Sequence, residues 1–146
     1  MRIFFAGAGQ CAEYVARRLI REGHDLCLME SNEARCRDLQ ETLDAHIIAG
    51  NALSIDEWRR AGLDKADLFV GCTHSDELNI AACLIANELA PDALVRSLAP
   101  DDEQASFQPI EPTLEVCRGI EVESHALHER RLEVSRRQRA FPAARL

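Results

Sequence analysis

No stretch of this 146-residue chain approaches the roughly 20 consecutive apolar residues that a helix needs to cross a bilayer. The chain is therefore expected to make no direct membrane span. The opening run MRIFFA is too short for the apolar core of a secretory leader, and a cytoplasmic location is expected. The six cysteines (Cys11, Cys27, Cys36, Cys72, Cys83, Cys117) include no CxxC pair, and several sit among apolar neighbours. That spacing favours small buried thiols over disulfides or a zinc site. The single tyrosine, Tyr14, falls in the first helical pattern, and the single lysine, Lys65, lies far from it in sequence. No Tyr-Lys or His-Asp relay of the kind that serves hydride transfer is recognisable. Nor does the pattern within these 146 residues lead one to expect a second domain or long loops that would hold a substrate.

The chain has the balance of an ordinary globular protein, 47% apolar and 29% charged, and its length suits one domain. A net charge of -8 argues against general nucleic-acid binding. The charge is uneven: residues 1–100 hold 16 acids against 10 bases, and residues 101–123 hold seven against one. Residues 124–146 reverse the balance with six arginines against two glutamates.

Short apolar runs alternate with helical patterns. Residues 2–6 (RIFFA) read as a strand buried on both faces, and Ala12, Val15, Ala16, Leu19 and Ile20 then recur at helical spacing up to Gly23, which reads as the C′ residue. Asp25–Glu30 reads as a second strand, and Ser31 or Asn32 as the cap of a helix carrying Cys36, Leu39 and Leu43. His46–Ala49 is a third strand, stopped by Gly50-Asn51. Ser54 and Glu57 have capping-box spacing, Asp67–Cys72 reads as strand four, and Leu78, Ala81, Ala82, Ile85 and Leu89 as one face of the next helix. Ala93–Leu98 is a fifth strand. Such alternation with short loops predicts an α/β Rossmann-like, doubly wound parallel sheet in three layers, with ligands at the carboxyl ends of strands one and four. The expected division is a dinucleotide-binding core over residues 1–100 and an extension over 101–146. In the extension, Leu114–Val122 is expected to give edge strands and Ser124–Ala140 a polar, arginine-rich helix.

Gly7-Ala8-Gly9-Gln10-Cys11-Ala12 fits GxGxxG/A. The first glycine allows a tight turn, the second lets backbone approach a pyrophosphate, and the third small residue lets the helix pack on its strand. The amides of Gln10 and Cys11 then face the phosphates from the helix N-terminus. Glu30 ends the second strand, where a carboxylate accepts from ribose hydroxyls and repels a 2′-phosphate, so NAD or an adenine nucleotide is preferred over NADP. Asn51 offers a donor and an acceptor to adenine or ribose, with turn chemistry as the alternative. Ser75 and Asp76 read first as helix caps. Arg96, inside an apolar strand, reads as a partner for a phosphate or a carboxylate, with a structural ion pair as the alternative. His125, His128 and Glu129 have metal-site spacing, but a solvated helix face is the favoured reading.

In order and spacing, GAGQCA, Glu30, AGNA, VGCTHSDELN and Arg96 resemble the KTN/RCK N-terminal domain of TrkA-N type over residues 1–98. This is the nucleotide-binding regulatory domain of bacterial Trk- and Ktr-type potassium uptake systems and of some potassium channels. The most specific part is T-x-x-D-E-x-N: Thr73, Asp76, Glu77 and Asn79. The resemblance implies a non-enzymatic module that binds NAD or NADH, alternatively ATP, ADP or AMP. It would pass the ligand state to a membrane potassium transporter or channel subunit at the inner face of the membrane. Carried over by position, the contacts fall on Gly7, Ala8, Gly9, Gln10, Cys11, Glu30, Thr73, His74 and Arg96, with Asn51 nearby. The resemblance also implies a homodimer or higher oligomer. Asn51 stands where the family often has aspartate, and Ala12 where glycine is commoner. The part after residue 100 does not clearly follow the family pattern, and the usual C-terminal ligand domain is not expected within these 146 residues, which leaves open a longer full protein or a stand-alone version. A small NAD-dependent oxidoreductase is the alternative function.

Overall fold

The computed structural model of the chain describes residues 1–97. The elements expected over Leu114–Val122 and Ser124–Ala140, together with Cys117, His125, His128 and Glu129, lie outside the described residues.

Five short strands alternate with helices: β1 (Arg2–Ala6), α1 (Gln10–Arg21), β2 (Asp25–Glu30), α2 (Glu33–Thr42), β3 (His46–Ala49), α3 (Ile55–Ala61), β4 (Leu68–Gly71), α4 (Asp76–Leu89) and β5 (Leu94–Ser97). A 3-10 turn, Leu63–Lys65, lies between α3 and β4. All strand pairs are parallel, and their order across the sheet is β3-β2-β1-β4-β5. The chain thus winds outward from β1 in one direction and then from β4 in the other. The expected reversal between strands one and four is present, and it opens a crevice at their carboxyl ends.

Alternation along each strand builds the three layers. Ile3, Phe5, Leu26, Leu28, Leu68 and Val70 pack under α1 and α2 with Val15, Leu19 and Leu39. Phe4, Ala6, Cys27, Met29 and Phe69 turn to the other face, against Trp58, Leu63, Ala82 and Ala86. Trp58 is fully buried, meets Phe4 and Phe69 edge-on at 6.2 and 5.4 Å, and donates its indole N–H to Ala52 O at 2.8 Å. With both faces covered, the central strands read in sequence as continuous apolar runs.

The helix ends follow local chemistry. Gly23 (φ +82) closes α1 in a Schellman arrangement: its N–H bonds Ile20 O at 2.9 Å, and the His24 N–H bonds Leu19 O at 3.2 Å. Asn32, of the two candidates, caps α2 by accepting from the Ala34 and Arg35 amides. Two expectations change. The Ser54–Glu57 capping box forms only its serine half, because the Glu57 carboxylate accepts from the Asn51 N–H at 2.7 Å. On α4 the buried face is Asn79, Ala82 and Ala86, while Leu78, Ala81, Ile85 and Leu89 are half-buried and Ile80 and Leu84 point outward. Small residues take the sheet-facing stripe because α4 lies close on β4, where the Asn79 Cα is only 3.3 Å from the position of a Cβ at Gly71.

Candidate functional site

The glycine loop lies between β1 and α1 and crosses the top of β4. Gly7 takes φ +98, and a Cβ there would stand 2.6 Å from the Cys72 carbonyl oxygen. Its N–H bonds Met29 O at 2.8 Å, so the turn is wedged between β2 and β4. Gly9 differs. Its φ of -65 is open to any residue, and a Cβ would meet nothing within 4 Å. Gly9 is also the N-cap of α1 and offers no side chain to the first helical amides. Ala12, the third small position, is 1% exposed and packs on the sheet.

Glu30 reaches back over this loop from the end of β2. Its Oε2 accepts from the Ala8 N–H at 3.0 Å and its Oε1 from the Asn32 N–H at 2.9 Å. One carboxylate thereby joins the loop to the start of α2. Arg35, which the sequence reading did not single out, donates from Nε to the Ala8 carbonyl at 3.2 Å and from its guanidinium to Glu13 on α1. Glu13 also accepts from Arg17 Nε at 2.9 Å. The Arg17 hydrogen bond is the main influence holding the Glu13 carboxyl below the usual value of 4.5; partial burial opposes it and Arg35 adds to it.

Two further loops complete the crevice. After β3, Asn51 turns its Oδ1 to the Leu53 N–H at 2.9 Å, an Asx turn, while its own amide is held by Glu57. The Glu57 carboxylate passes 2.3 Å from where a Gly50 Cβ would stand, so a side chain at 50 would have to displace it from the Asn51 amide. After β4, Thr73 is held by Asn79, a buried residue with no exposure. Asn79 Oδ1 accepts from the Thr73 N–H at 2.6 Å and lies 2.8 Å from its hydroxyl. Ser75 caps α4 by accepting from the Leu78 N–H at 3.3 Å, as the sequence reading expected. His74 is exposed beside Thr73.

Gly7, Ala8, Gly9, Glu30, Asn51, Thr73 and His74 line one crevice, with Met29, Ser31, Gly50, Ala52, Cys72 and Leu78. Gln10 and Cys11, the first residues of α1, stand just outside that lining with their backbone at the loop. Arg96 is apart from it. Register sets Arg96 beside Val70, and its guanidinium donates to Val95 O at 3.0 Å. Glu57, Arg35 and Asn79 are the side chains that the sequence reading did not place at the site. Each acts on backbone rather than lining the crevice, and only Asn79 left a signal, in the T-x-x-D-E-x-N spacing.

Cys27 and Cys36 are buried, as the thiol reading expects, and Cys11, Cys72 and Cys83 are half-buried. Burial pushes the Cys27 thiol up to about 12. Among the described residues no group of three or more His, Cys, Asp or Glu is placed to hold a metal ion. None of the described helices is long and apolar enough to cross a membrane.

Comparison with known proteins agrees with this geometry. The TrkA-N domain family matches residues 3–108. A Trk system potassium uptake protein TrkA homolog from Methanothermobacter thermautotrophicus is 35% identical over 106 residues, which are 72% of this chain and 49% of that protein. The Trk system potassium uptake protein TrkA of Vibrio alginolyticus is 35% identical over 113 residues, 74% of this chain and 25% of its own length. The chain therefore spans half or less of these relatives. Among solved structures, the TrkA-N domain of the Escherichia coli inner membrane protein ybaL superposes with a TM-score of 0.63 at 18% identity, covering 82% of this chain and 93% of that one. The Shewanella denitrificans Kef CTD in its AMP-bound form gives 0.62 at 19% identity, covering 96% and 94%. The match of the family over most of the chain, on a fold whose glycine loop and Glu30 sit at the strand-order reversal, has one meaning: the chain belongs to the TrkA-N domain family.

Proposed function

We propose that this domain binds an adenine nucleotide, NAD or NADH first and ATP, ADP or AMP as alternatives, and that the bound state regulates a membrane potassium transporter or channel subunit. The observation that carries the reading is Gly9. Nothing inside the protein requires glycine there, since its φ is ordinary and a Cβ would meet open space. The missing side chain clears the outside of the loop, where a pyrophosphate must approach backbone. The start of α1, where Gly9 supplies no side-chain cap, supports the same reading, because the positive end of a helix dipole favours an anion.

The roles follow from position. Gly7 and Ala8 shape the loop, their amides being held by Met29 O and Glu30, and Gly9 to Cys11 face the phosphates, Glu30 the ribose hydroxyls, Asn51 the adenine side, and Thr73 and His74 the far wall. A 2′-phosphate placed at Glu30 would meet its carboxylate, which disfavours NADP. Thr73 takes part with its side-chain face or carbonyl, since its amide is committed to Asn79. Arg96 serves from the neighbouring strand if its guanidinium leaves Val95 O. The relatives are named as potassium uptake proteins, and a fold neighbour was solved with AMP, which supports a nucleotide signal read by a transport system.

Such a regulator works only if ligand changes contacts with a partner. The α4 helix begins at the crevice with Ser75 and carries Ile80 and Leu84 outward, 58% and 65% exposed. That apolar stripe suits packing against a transporter subunit or a second copy in a homo-oligomer, at the inner face of the cell membrane. Titration calorimetry of the purified protein with NAD, NADH, ATP, ADP and AMP tests the reading. Saturable binding that Glu30→Ala weakens for NAD is expected, together with no hydride transfer to common alcohols, acids or aldehydes. Absence of binding by every nucleotide overturns the proposal, and steady turnover moves the protein to the oxidoreductases.

A further inference from the structure

Both backbone polar groups of Ala8, the middle residue of the glycine loop, are met by side chains of the second βα unit. Glu30 Oε2 accepts its N–H at 3.0 Å, and Arg35 Nε donates to its C=O at 3.2 Å. Ala8 itself is fully buried, so each group would be costly to leave unmet. The carbonyl belongs to the Ala8–Gly9 peptide. In a trans peptide the N–H points opposite the C=O, so the bond from Arg35 sets the direction of the Gly9 N–H. That direction needs a lock. Gly9 is glycine, which accepts positive and negative φ alike, so its own backbone preference does not hold the peptide in one orientation.

The lock is braced. Glu13 on α1 accepts from the Arg35 guanidinium and, with its other oxygen, from Arg17 Nε at 2.9 Å and a terminal nitrogen at 2.6 Å. Arg17 continues to the Thr42 carbonyl at 3.0 Å. The planar guanidinium is thus fixed between α1 and the loop, with Nε and a terminal nitrogen used in two directions. A lysine ammonium keeps the charge but has no such fork.

We infer that Arg35 is a positioning residue for the nucleotide loop: it locks the Ala8–Gly9 peptide in the orientation that turns the Gly9 N–H toward the bound phosphate, with Glu13 as its brace. The inference rests on the nucleotide reading above and goes beyond it, because Arg35 acts on the loop through backbone and needs no contact with the ligand. It gives the domain a way to grade phosphate affinity from the α1–α2 side, away from the crevice.

The experiment compares the wild-type protein with Arg35→Lys and Arg35→Ala by calorimetry against ADP and adenosine. A second measurement takes the residual dipolar coupling of the Gly9 N–H in the ligand-free proteins. Both variants should weaken ADP about tenfold, the cost of misaiming one hydrogen bond to a charged group, with adenosine changed by less than about twofold. The Gly9 coupling should shift toward a motionally averaged value in both. Lysine restoring ADP affinity overturns the inference, because charge alone then suffices. Equal weakening of ADP and adenosine overturns it as well, since that marks general damage to the fold. An unchanged Gly9 coupling refutes the lock whatever the ligand does. Wild-type protein that binds neither ligand instead refutes the nucleotide reading itself.

Discussion

Replacing Asn79 by leucine removes one side chain that no ligand need touch, and its cost can be worked from contacts. Asn79 has no exposed surface and accepts the Thr73 N–H at 2.6 Å. Leucine leaves that amide without a partner in a half-buried loop, which costs about 1–3 kcal/mol. The Thr73 hydroxyl loses its 2.8 Å neighbour too, but it has a second acceptor in the Ser75 carbonyl at 3.1 Å and adds little. The net loss should be about 2 kcal/mol, or a fall in Tm of about 8 °C at roughly 4 °C per kcal/mol for a domain of this size. Calorimetric or urea unfolding of the two proteins side by side measures it. A fall below about 2 °C would show that water or a shifted loop satisfies the Thr73 amide, and the account of Asn79 as the clasp between β4 and α4 would be refuted. If the clasp matters to ligand, nucleotide affinity should drop further than the loss of folded protein explains.

The two loop glycines should behave oppositely. Gly7→Ala must place a Cβ 2.6 Å from the Cys72 carbonyl at φ +98 and should cost about 3 kcal/mol or more, whereas Gly9→Ala should stay within about 1 kcal/mol and instead lower nucleotide affinity; paired urea unfolding and calorimetry separate these effects, and equal destabilisation contradicts the division of labour. Cys27, buried with its thiol pushed up to about 12, should resist iodoacetamide at pH 8 in the folded protein, and mass spectrometry showing it modified as fast as half-buried Cys11 would contradict its burial. Glu13 has its folded-state pKa lowered by Arg17 first, so its contribution is present above the usual value of 4.5 and is lost as pH falls through the lowered folded value. The stability gap between wild type and Glu13→Gln should accordingly narrow on acidification, and a gap constant from pH 7 to pH 3 would remove the ion pairs from the account.

Much of this protein was legible before any coordinate. Among the described residues, apolar runs marked the five strands, because a parallel sheet covered on both faces leaves little room for polar residues in them; helical spacing marked three helices and the Ser54–Glu57 cap the start of the fourth. Gly23 and Asn32 announced their caps through local backbone chemistry, which depends only on near neighbours. The glycine loop and Glu30 were visible because short spacing along the chain puts the loop between β1 and α1 and the acid at the end of β2. On α4, Ala82, Ile85 and Leu89 pack on the core as their spacing predicted, but the close approach to β4 puts Asn79 and Ala86 in the fully buried stripe as well. The half-made capping box failed for a related reason: a carboxylate with two possible amides, Ser54 and Asn51, chooses by where the chain brings the second.

Only the tertiary structure decided how the loop is held. Arg35 and Ala8 are 27 residues apart, and Arg35 and Glu13 are 22 apart. No local pattern couples them, since α1 and α2 become neighbours only when β1 and β2 pair in parallel register. The sequence by itself determined the alternation of strands and helices, the glycine loop and the acid that faces it, because these follow from backbone propensity and short spacing. The crossing of the loops over β1 and β4 determined which side chains fix backbone and which line the crevice, because a hydrogen bond between distant residues exists only after the chain has closed on itself.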